Sequence, residues 1–398
     1  MAKVLISSLG TGEKKDGSYK KAKYQIGNRT YETSFVADAL VRHLSIDKLF
    51  LVGTKKSIWD EAYVAFGGKD DEYQLKLYEE KDKGNIDIEL LSKFNHIFDN
   101  NLKSFIINYG LDENELWNNF EKFIEIANNI EDGDELYLDI THSFRSLSLM
   151  SFVMTQFAST ISDKKFKIAG VFYGMFEYSF ENEGITPIVD IKLLLEIQDW
   201  IKAIDAIKVY SDFDPLVRLL ELDNSIEKNV NKSFIQLNNA IKMANISALE
   251  MFIKNASKKV QSISNSSNKI IKLLAPEVLQ LINNLDKEKK SDFQYALAKW
   301  FYTNKNYALS YLALYEAIIS KSCELKDYDV DDYKQRKDAK GSIGNDKYGK
   351  YFYTKHQDSL SNIRNSIAHQ SNDRENFVTQ DIQKLKIFIE TFEEYFSI

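Results

Sequence analysis

The sequence predicts an α/β domain with a mostly parallel sheet, followed by an all-α region. Two observations support this division. Thirteen of the sixteen glycines precede residue 185, and none lies between Ile185 and Lys340. Strand-like and helix-like patterns also alternate in the first part, whereas helical spacing of apolar residues dominates from Asp190 onward. We therefore expect a Rossmann-like domain over residues 1–190, a helical linker region over 191–300 and a helical bundle over 301–398.

The strands of the first part are predicted from short apolar runs bounded by turn-forming residues. These runs cover residues 3–8, 48–53, 86–91, 135–140 and 166–173. Residues 19–33 form two alternating arms around Gly27 and Asn28, a pair suited to positive φ, which predicts a β-hairpin.

The second part is predicted to be helical from its apolar spacing. Ile191, Leu194, Leu195 and Ile197 begin this pattern. Residues 255–268 are rich in Ser, Asn and Lys and fit either a loop or a polar helix. Residues 326–350 are charged, contain glycine and have the length of a functional or disordered loop.

Composition excludes several classes of function. The net charge of -7 argues against a protein that coats nucleic acid through bulk charge, so any RNA contact must be local and basic. Cys323 is the single cysteine, and the five histidines include no HxxxH or HExxH pair, so we expect neither a metal site nor a metal cofactor. No apolar run is long enough to cross a bilayer, and no signal peptide is recognised, which predicts a cytoplasmic protein without a membrane partner.

Near the C-terminus, residues 358–370 are predicted to form an amphipathic helix. Leu360, Ile363 and Ile367 make one apolar stripe. At about 100° per residue, Asn365 and His369 lie about 40° apart on the opposite face, away from that stripe. Arg364 is adjacent to them.

These residue types suit RNA cleavage without a metal. Arg364 can bind a phosphodiester and stabilise its transition state, His369 can act as general acid or base, and Asn365 can hold the imidazole tautomer. In such a reaction the 2′-hydroxyl attacks the adjacent phosphate, so DNA is not expected to be a substrate. The spacing alone also fits a helix whose Arg and His are only solvated.

The run RNSIAH at residues 364–369 resembles the RNxxxH signature of HEPN domains, which are small helical bundles that include many ribonucleases. The resemblance implies that the motif helices of two protomers meet and form one composite site. Glu316, in an apolar helix predicted over residues 307–319, is either a further polar member of that site or a residue at the edge of the core.

A ligand site is expected in the first part, because open α/β sheets bind ligands beyond the C-terminal ends of their strands. Three such loops contain small, hydroxyl-bearing, aromatic or charged residues. The candidate ligand-binding residues are Ser8, Gly10, Thr11, Gly12, Gly53, Thr54, Ser57, Trp59, Asp139, Thr141, His142, Ser143 and Arg145.

These loops also have alternative interpretations. The first loop lacks the third glycine of a dinucleotide fingerprint and the lysine of a P-loop, so neither NAD nor ATP is favoured. The loop with Trp59 also fits an ordinary strand-to-helix connection with a packed tryptophan. A Ser-His-Asp hydrolase is not favoured, because five consecutive positions cannot easily line up the relay.

The runs GTKKSIW from Gly53 and DITHSFR from Asp139 resemble CARF-domain effectors of type III CRISPR systems, whose pattern is Asp-x-Thr-His-Gly. Ser143 stands in place of the glycine. The resemblance covers residues 1–185 for the sensor and 300–398 for the nuclease. It implies that a dimer binds a cyclic oligoadenylate across its twofold axis, and we favour tetra-adenylate over hexa-adenylate.

Together these patterns predict a cytoplasmic homodimer, with further assembly left open, that cleaves single-stranded RNA when a cyclic oligoadenylate binds, in antiviral defence. Two alternative functions also fit these patterns. The chain could be a sensor or regulator with an inactive HEPN bundle. The CARF pocket could also degrade its own activator around Thr141, His142 and Arg145.

Overall fold

A computed structural model of the chain describes all residues except 13, 16–17, 143–144, 225, 264–265, 344–348, 353–357, 370–371 and 397–398. The described chain divides into two compact units, Met1–Leu194 and Leu195–Ile398.

The first unit is built on one main sheet. Its strands, together with a short separate hairpin of β2 and β3, are β1 (Lys3–Leu9), β2 (Lys14–Lys15), β3 (Ser18–Tyr19), β4 (Ala22–Ile26), β5 (Arg29–Thr33), β6 (Lys48–Gly53), β7 (Leu102–Ile106), β8 (Glu135–Asp139), β9 (Lys167–Gly174) and β10 (Ile185–Asp190). In the described part of the chain the main sheet has eight strands in the order β5-β4-β10-β9-β8-β1-β6-β7. Only the β4–β5 and β9–β10 pairs among them are antiparallel.

The centre of this sheet is apolar on both faces. Six consecutive residues of β1, from Val4 to Leu9, are buried, as expected for a parallel strand covered by helices on both sides. The helices of this unit are α1 (Val36–Leu44), α2 (Trp59–Ala65), α3 (Asp71–Lys83), α4 (Ile88–Leu91), α5 (Glu113–Asn128) and α6 (Arg145–Ile161). The predicted mostly parallel α/β domain is therefore confirmed at the level of its architecture.

Most of the predicted strands are present in the first unit. Four of the five predicted runs are strands at their expected places, and the hairpin of β4 and β5 turns at Gly27 with φ of +56°. The run 86–91 was predicted as a strand, which is wrong: its second half is α4, because the Asp87 carboxylate accepts a hydrogen bond from the Leu90 N–H at 2.7 Å and starts a helical turn. β7 and β10 were not predicted.

The described part of the second unit contains helices joined by short connections, and no strand. It comprises most of α7 (Leu193–Tyr210), then α8 (Asp214–Leu222), α9 (Lys228–Lys242), α10 (Ile246–Ile263), α11 (Lys269–Leu285), α12 (Lys290–Thr303), α13 (Tyr307–Glu324), α14 (Tyr333–Ile343), α15 (Gly349–Phe352), α16 (Leu360–His369) and α17 (Val378–Phe396). One hydrophobic core runs from Trp200 to Phe392. The predicted change from α/β to all-α is confirmed.

Two polar stretches of this unit were predicted less well. Residues 255–263 belong to α10, and Asn268 then caps α11 by accepting hydrogen bonds from the N–H groups of Ile270 and Ile271. The stretch 326–350 was predicted as a loop, but its middle forms α14. No helix in the described ranges is long and apolar enough to cross a bilayer.

Candidate functional site

A cavity of about 400 Å³ lies where the C-terminal ends of β1, β6, β8 and β9 meet. This is the edge at which ligands of open α/β sheets are expected. Eight of the sequence-predicted ligand residues line the cavity: Gly10, Thr11, Gly12, Gly53, Thr54, Ser57, Thr141 and His142.

The loops after β1 and β6 are tied together below this cavity. The Ser57 hydroxyl donates to the Leu9 carbonyl at 2.8 Å and accepts the Thr54 N–H at 2.9 Å. The Ile58 N–H donates to the Gly10 carbonyl at 3.0 Å. These bonds satisfy buried polar groups and give the cavity floor a fixed geometry.

Three predicted residues lie behind the lining instead. Ser8 is buried in β1. Trp59 is fully buried, and its indole N–H donates to the Thr54 carbonyl at 2.9 Å. Asp139 is buried and accepts hydrogen bonds from the Ser7 hydroxyl at 2.6 Å and the Thr141 N–H at 2.9 Å. These residues shape the loops and do not line the cavity.

The predicted third loop is only partly described. Ser143 lies outside the described residues, as does the side chain of Arg145, whose backbone begins α6. The Thr141 hydroxyl oxygen accepts a hydrogen bond from the Gly174 N–H at 2.8 Å at the edge of the site. The loop is thereby joined to the end of β9.

Sequence reasoning missed the side of the cavity that faces β4. Tyr24 and Lys20 line it there, and Phe176 follows β9. The Tyr24 hydroxyl lies 3.3 Å from His142 Nε2, and Lys20 Nζ lies 5.2 Å from the centre of the Phe176 ring. No local motif marks these residues; Tyr24 reaches the cavity because β4, which follows Lys20, pairs in parallel with the distant β10.

Burial favours the uncharged forms of His142 and Tyr24. Burial lowers the pKa of His142 below its ordinary value, and the nearby Asp139 carboxylate only partly opposes this. Burial also raises the pKa of Tyr24. At neutral pH the imidazole of His142 and the phenol of Tyr24 are therefore both uncharged, and residues with hydroxyl groups, Lys20 and Glu177 complete this part of the lining. Such a set can bind phosphate oxygens and the nitrogen atoms of a base.

The predicted motif helix is α16. Leu360 and Ile363 are buried in the core of the second unit, and Ile367 packs against that core. His369 is exposed at the end of the helix. The predicted amphipathic helix is confirmed: its apolar stripe lies in the core, and His369, predicted on the opposite face, is exposed.

Arg364 makes two described contacts. Its Nη1 donates to Asn365 Oδ1 at 3.1 Å, and its guanidinium carbon lies 4.6 Å from the centre of the Tyr315 ring. Its Nε atom is buried and has no hydrogen-bond partner among the described residues. The arrangement holds the arginine and the asparagine of the motif together.

The described partner of Glu316 is Arg336. Its carboxylate forms an ion pair with Arg336 of α14, and Arg336 also donates to the Val330 carbonyl at 2.8 Å. The ion pair fastens α14 to α13. It supports the interpretation of Glu316 as a residue at the edge of the core.

An ion-pair cluster that sequence reasoning missed anchors both ends of α16. Arg374 follows the helix and donates to Asp381 of α17 through Nε at 2.7 Å. It also donates to Asp358, which precedes the helix, at 3.1 Å. Lys384 pairs with Asp358 at 2.7 Å, and both cations hold the pKa of that carboxyl below its usual range. In the described part of the chain, no group of three or more His, Cys, Asp or Glu residues is placed to hold a metal ion.

Two family models match the chain, one within each of the two compact units. Residues 4–177 match the family model described as CRISPR system endoribonuclease Csx1, CARF domain, and residues 196–292 match that of CRISPR-associated protein MJ1674, second domain. The CRISPR-associated protein MJ1674 of Methanocaldococcus jannaschii is 33% identical over 403 residues, which cover 93% of this chain. The chain spans 62% of the length of that curated relative.

A likeness to a solved structure is much weaker. Csm6 of Enterococcus italicus, bound to cyclic hexa-2′-fluoro-hexa-dAMP, is 13% identical with a TM-score of 0.36, over 98% of this chain and 93% of the other. A score of this size does not establish a shared fold. Residues 4–177 are thus similar to the CARF domain of Csx1 proteins, and residues 196–292 are similar to the second domain of MJ1674.

Proposed function

We propose that the chain is a homodimeric, metal-independent endoribonuclease that cleaves single-stranded RNA when a cyclic oligoadenylate binds its CARF domain, in type III CRISPR defence. The observation that carries the nuclease part is the polar face of α16. There Arg364 is bonded to Asn365, and the exposed His369 follows one helical turn later. The Csx1 family, whose CARF model matches residues 4–177, is described as an endoribonuclease.

In the proposed reaction, the 2′-oxygen of RNA attacks the adjacent phosphorus and the bond from phosphorus to the 5′-oxygen breaks. The products are a 2′,3′-cyclic phosphate and a 5′-hydroxyl. His369 takes the proton from the 2′-hydroxyl or gives one to the leaving oxygen, and in a dimer the two copies can divide these roles. Arg364 stabilises the negative charge on the non-bridging oxygens.

The cavity of the first unit is the proposed activator site. Its volume falls within the range of small-molecule pockets, and its lining combines residues with hydroxyl groups, His142 and Lys20. A ring of adenylates carries both phosphates and bases. A ring with an even number of units has a twofold axis, so two copies of the cavity can bind one ring symmetrically.

An apolar face on α5 and α6 supports the proposed dimer. Leu149, Val153, Phe157 and Ile161 recur every four residues along α6 and are all exposed, as is Trp117 on α5. α6 carries no charged residue after Arg145, so two copies can meet without charge repulsion. A contiguous exposed apolar patch of this kind marks an interaction surface.

We propose that activator binding shifts the dimer between arrangements in which the two α16 helices are closer together or further apart. Such a coupling between sites is typically worth about 1–3 kcal/mol per effector. It corresponds to roughly a five- to 150-fold change in activity when the active arrangement is the minor one.

The test is RNA cleavage by the full chain, with cyclic tetra-adenylate and cyclic hexa-adenylate supplied separately and with EDTA present. Wild type should cleave with one of the rings and leave 2′,3′-cyclic phosphate ends. Arg364→Ala and His369→Ala should each lower kcat by roughly a hundredfold or more. His96→Ala, which removes an exposed histidine of the first unit, is the matched control and should cleave as wild type does. Failure of wild type with both rings, or full activity of His369→Ala, would remove the nuclease proposal.

A second candidate function is slow cleavage of the activator in the cavity. The neutral His142, held beside the Tyr24 hydroxyl, favours it because a neutral imidazole can accept a proton from a 2′-hydroxyl. Incubation with cyclic tetra-adenylate should then yield linear products with wild type and not with His142→Ala. The absence of linear products over hours would leave the domain a sensor alone.

A further inference from the structure

Tyr315 of α13 contacts two cations that come from different helices. The guanidinium carbon of Arg364 on α16 is 4.6 Å from the centre of the ring. The ammonium of Lys340 on α14 is 5.2 Å from the same centre and donates a hydrogen bond to the Tyr315 hydroxyl at 2.6 Å. The tyrosine is only 6% exposed, so its ring has a fixed place in the core.

The ring is suited to hold the guanidinium. A cation over an aromatic face is attracted by the quadrupole of the ring, and the attraction grows when water is excluded. Arg364 Nε is buried and lacks a hydrogen-bond partner among the described residues, so the ring contact and the bond from Nη1 to Asn365 are its described restraints. Removal of the ring would leave the guanidinium with a wider range of positions.

Lys340 in turn orients the ring. Its hydrogen bond fixes the hydroxyl end of Tyr315, and its own helix is held to α13 by the ion pair of Arg336 with Glu316. Among the described contacts, Tyr315 of α13 therefore connects Lys340 of α14 with Arg364 of α16.

We propose that Tyr315 and Lys340 are positioning residues that hold the Arg364 guanidinium in its working place. The inference rests on the proposed RNA cleavage and adds two residues to that site. Neither residue touches the substrate in this proposal. Both act through Arg364, because a misplacement of about 1 Å in a group that stabilises the transition state can lower the rate a hundredfold.

The first test observes Arg364 directly and needs no cleavage. The chain has only seven arginines, so the side-chain Nε–H signals of the ¹⁵N-arginine-labelled full chain can be resolved, and Arg364→Lys identifies the signal of Arg364. The ring current of Tyr315 should displace this signal from the usual range in wild type. Tyr315→Leu should abolish the displacement, and Tyr315→Phe should keep most of it.

The matched control is Tyr295→Leu. Tyr295 is also 6% exposed, donates its hydroxyl to the Ile389 carbonyl at 3.1 Å and has Lys299 over its ring at 5.4 Å. Its replacement removes a comparable buried tyrosine that has no described contact with Arg364. The Arg364 signal should not move in this variant.

The second test is kinetic, with whichever of cyclic tetra-adenylate and cyclic hexa-adenylate activates wild type. Tyr315→Leu should lower kcat by about ten- to a hundredfold with KM within about twofold, since a group that acts in the transition state changes kcat. Tyr315→Phe and Lys340→Met should lower kcat by about three- to tenfold. Tyr295→Leu should retain kcat within about twofold.

The outcomes separate this inference from the proposed function. An Arg364 signal that is the same in wild type and Tyr315→Leu overturns the positioning role, as does an unchanged kcat in Tyr315→Leu when Arg364→Ala is inactive. Inactive wild type would defeat the proposed function, and the Arg364 signal would still decide whether Tyr315 holds the guanidinium. If Tyr315→Leu does not fold, Tyr315→Phe and Lys340→Met remain folded tests, because both keep the buried volume nearly constant.

Discussion

At the scale of single residues, Trp59 fills space in the first core beside Phe94, with ring centres 5.9 Å apart, and is 0% exposed. Trp59→Ala removes this packing and the indole bond to Thr54. Replacement of a buried Trp or Phe by Ala costs about 3–5 kcal/mol, so the free energy of unfolding should fall by that amount. Urea unfolding followed by circular dichroism measures it.

Leu75→Ala serves as the control for Trp59→Ala, because Leu75 is an exposed apolar residue of α3 in the same unit. Its free energy of unfolding should stay within about 0.5 kcal/mol of wild type. A Trp59→Ala protein that is as stable as Leu75→Ala would show that Trp59 is not a core residue.

His142 gives a prediction for pH. Burial lowers its pKa in the folded protein below the ordinary value of 6.5, so the unfolded chain binds more protons once the pH falls below about 6.5. The stability that neutral His142 provides is therefore complete above this pH and is lost as the pH falls toward the pKa of the folded state. Urea unfolding between pH 8 and pH 5 should show a shallower loss for His142→Asn than for wild type. Equal slopes would contradict the neutral state of the ring.

The residues of the cavity show which contacts sequence can predict. Thr141 and Gly10 were found because they follow strands directly, and the strand-end rule depends only on local pattern. Tyr24 and Lys20 were missed because the pairing that brings them there joins segments far apart in the chain. Trp59 comes directly after the loop that carries the lining residues Thr54 and Ser57. Only its burial shows that its side chain points into the core.

At the scale of elements, the errors have local causes that compete with apolar pattern. The run 86–91 is apolar enough for a strand, yet Asp87 is a capping residue and the backbone follows the cap. α14 is polar along its length and contains Gly341, so its sequence favours a loop. Its bonds to α13 through Arg336 supply the tertiary stabilisation that its own residues lack.

The cluster around Arg374 gives a prediction for α16. Arg374 is 7% exposed, and Arg374→Met would leave Asp381 buried without its cation. Loss of one partner of a buried pair typically costs about 3–5 kcal/mol. The midpoint of urea unfolding should fall accordingly, and hydrogen exchange in α16 should increase, because both ends of this helix lose an anchor.

Arg42→Met is the matched control for Arg374→Met. Arg42 pairs with Asp38 within α1 on the surface, and such pairs contribute about 1 kcal/mol or less. An Arg374→Met protein with the midpoint of Arg42→Met and unchanged exchange in α16 would show that the cluster does not hold the helix.

At the scale of the whole chain, the distribution of glycine separated the α/β part from the helical part correctly. The helices that match the second domain of MJ1674 carried no motif, because apolar spacing at the helical period records a core and not an identity. The domain limits near residues 190 and 300, the HEPN assignment and the dimer stay predictions.

The apolar face of α5 and α6 gives the prediction for assembly. Val153→Glu would place two carboxylates in the proposed contact between α6 helices, where each would lose water without gaining a cation, since α6 carries none beyond Arg145. Association should weaken at least a hundredfold, about 2.7 kcal/mol, in sedimentation measurements over a range of concentrations. RNA cleavage should fall with it, because the proposed site needs α16 from two copies. Leu273→Glu changes an exposed apolar residue on α11, in the other unit, and should leave both properties unaltered. A Val153→Glu protein that remains a dimer would place the contact elsewhere, and one that cleaves RNA as a monomer would show that a single α16 suffices.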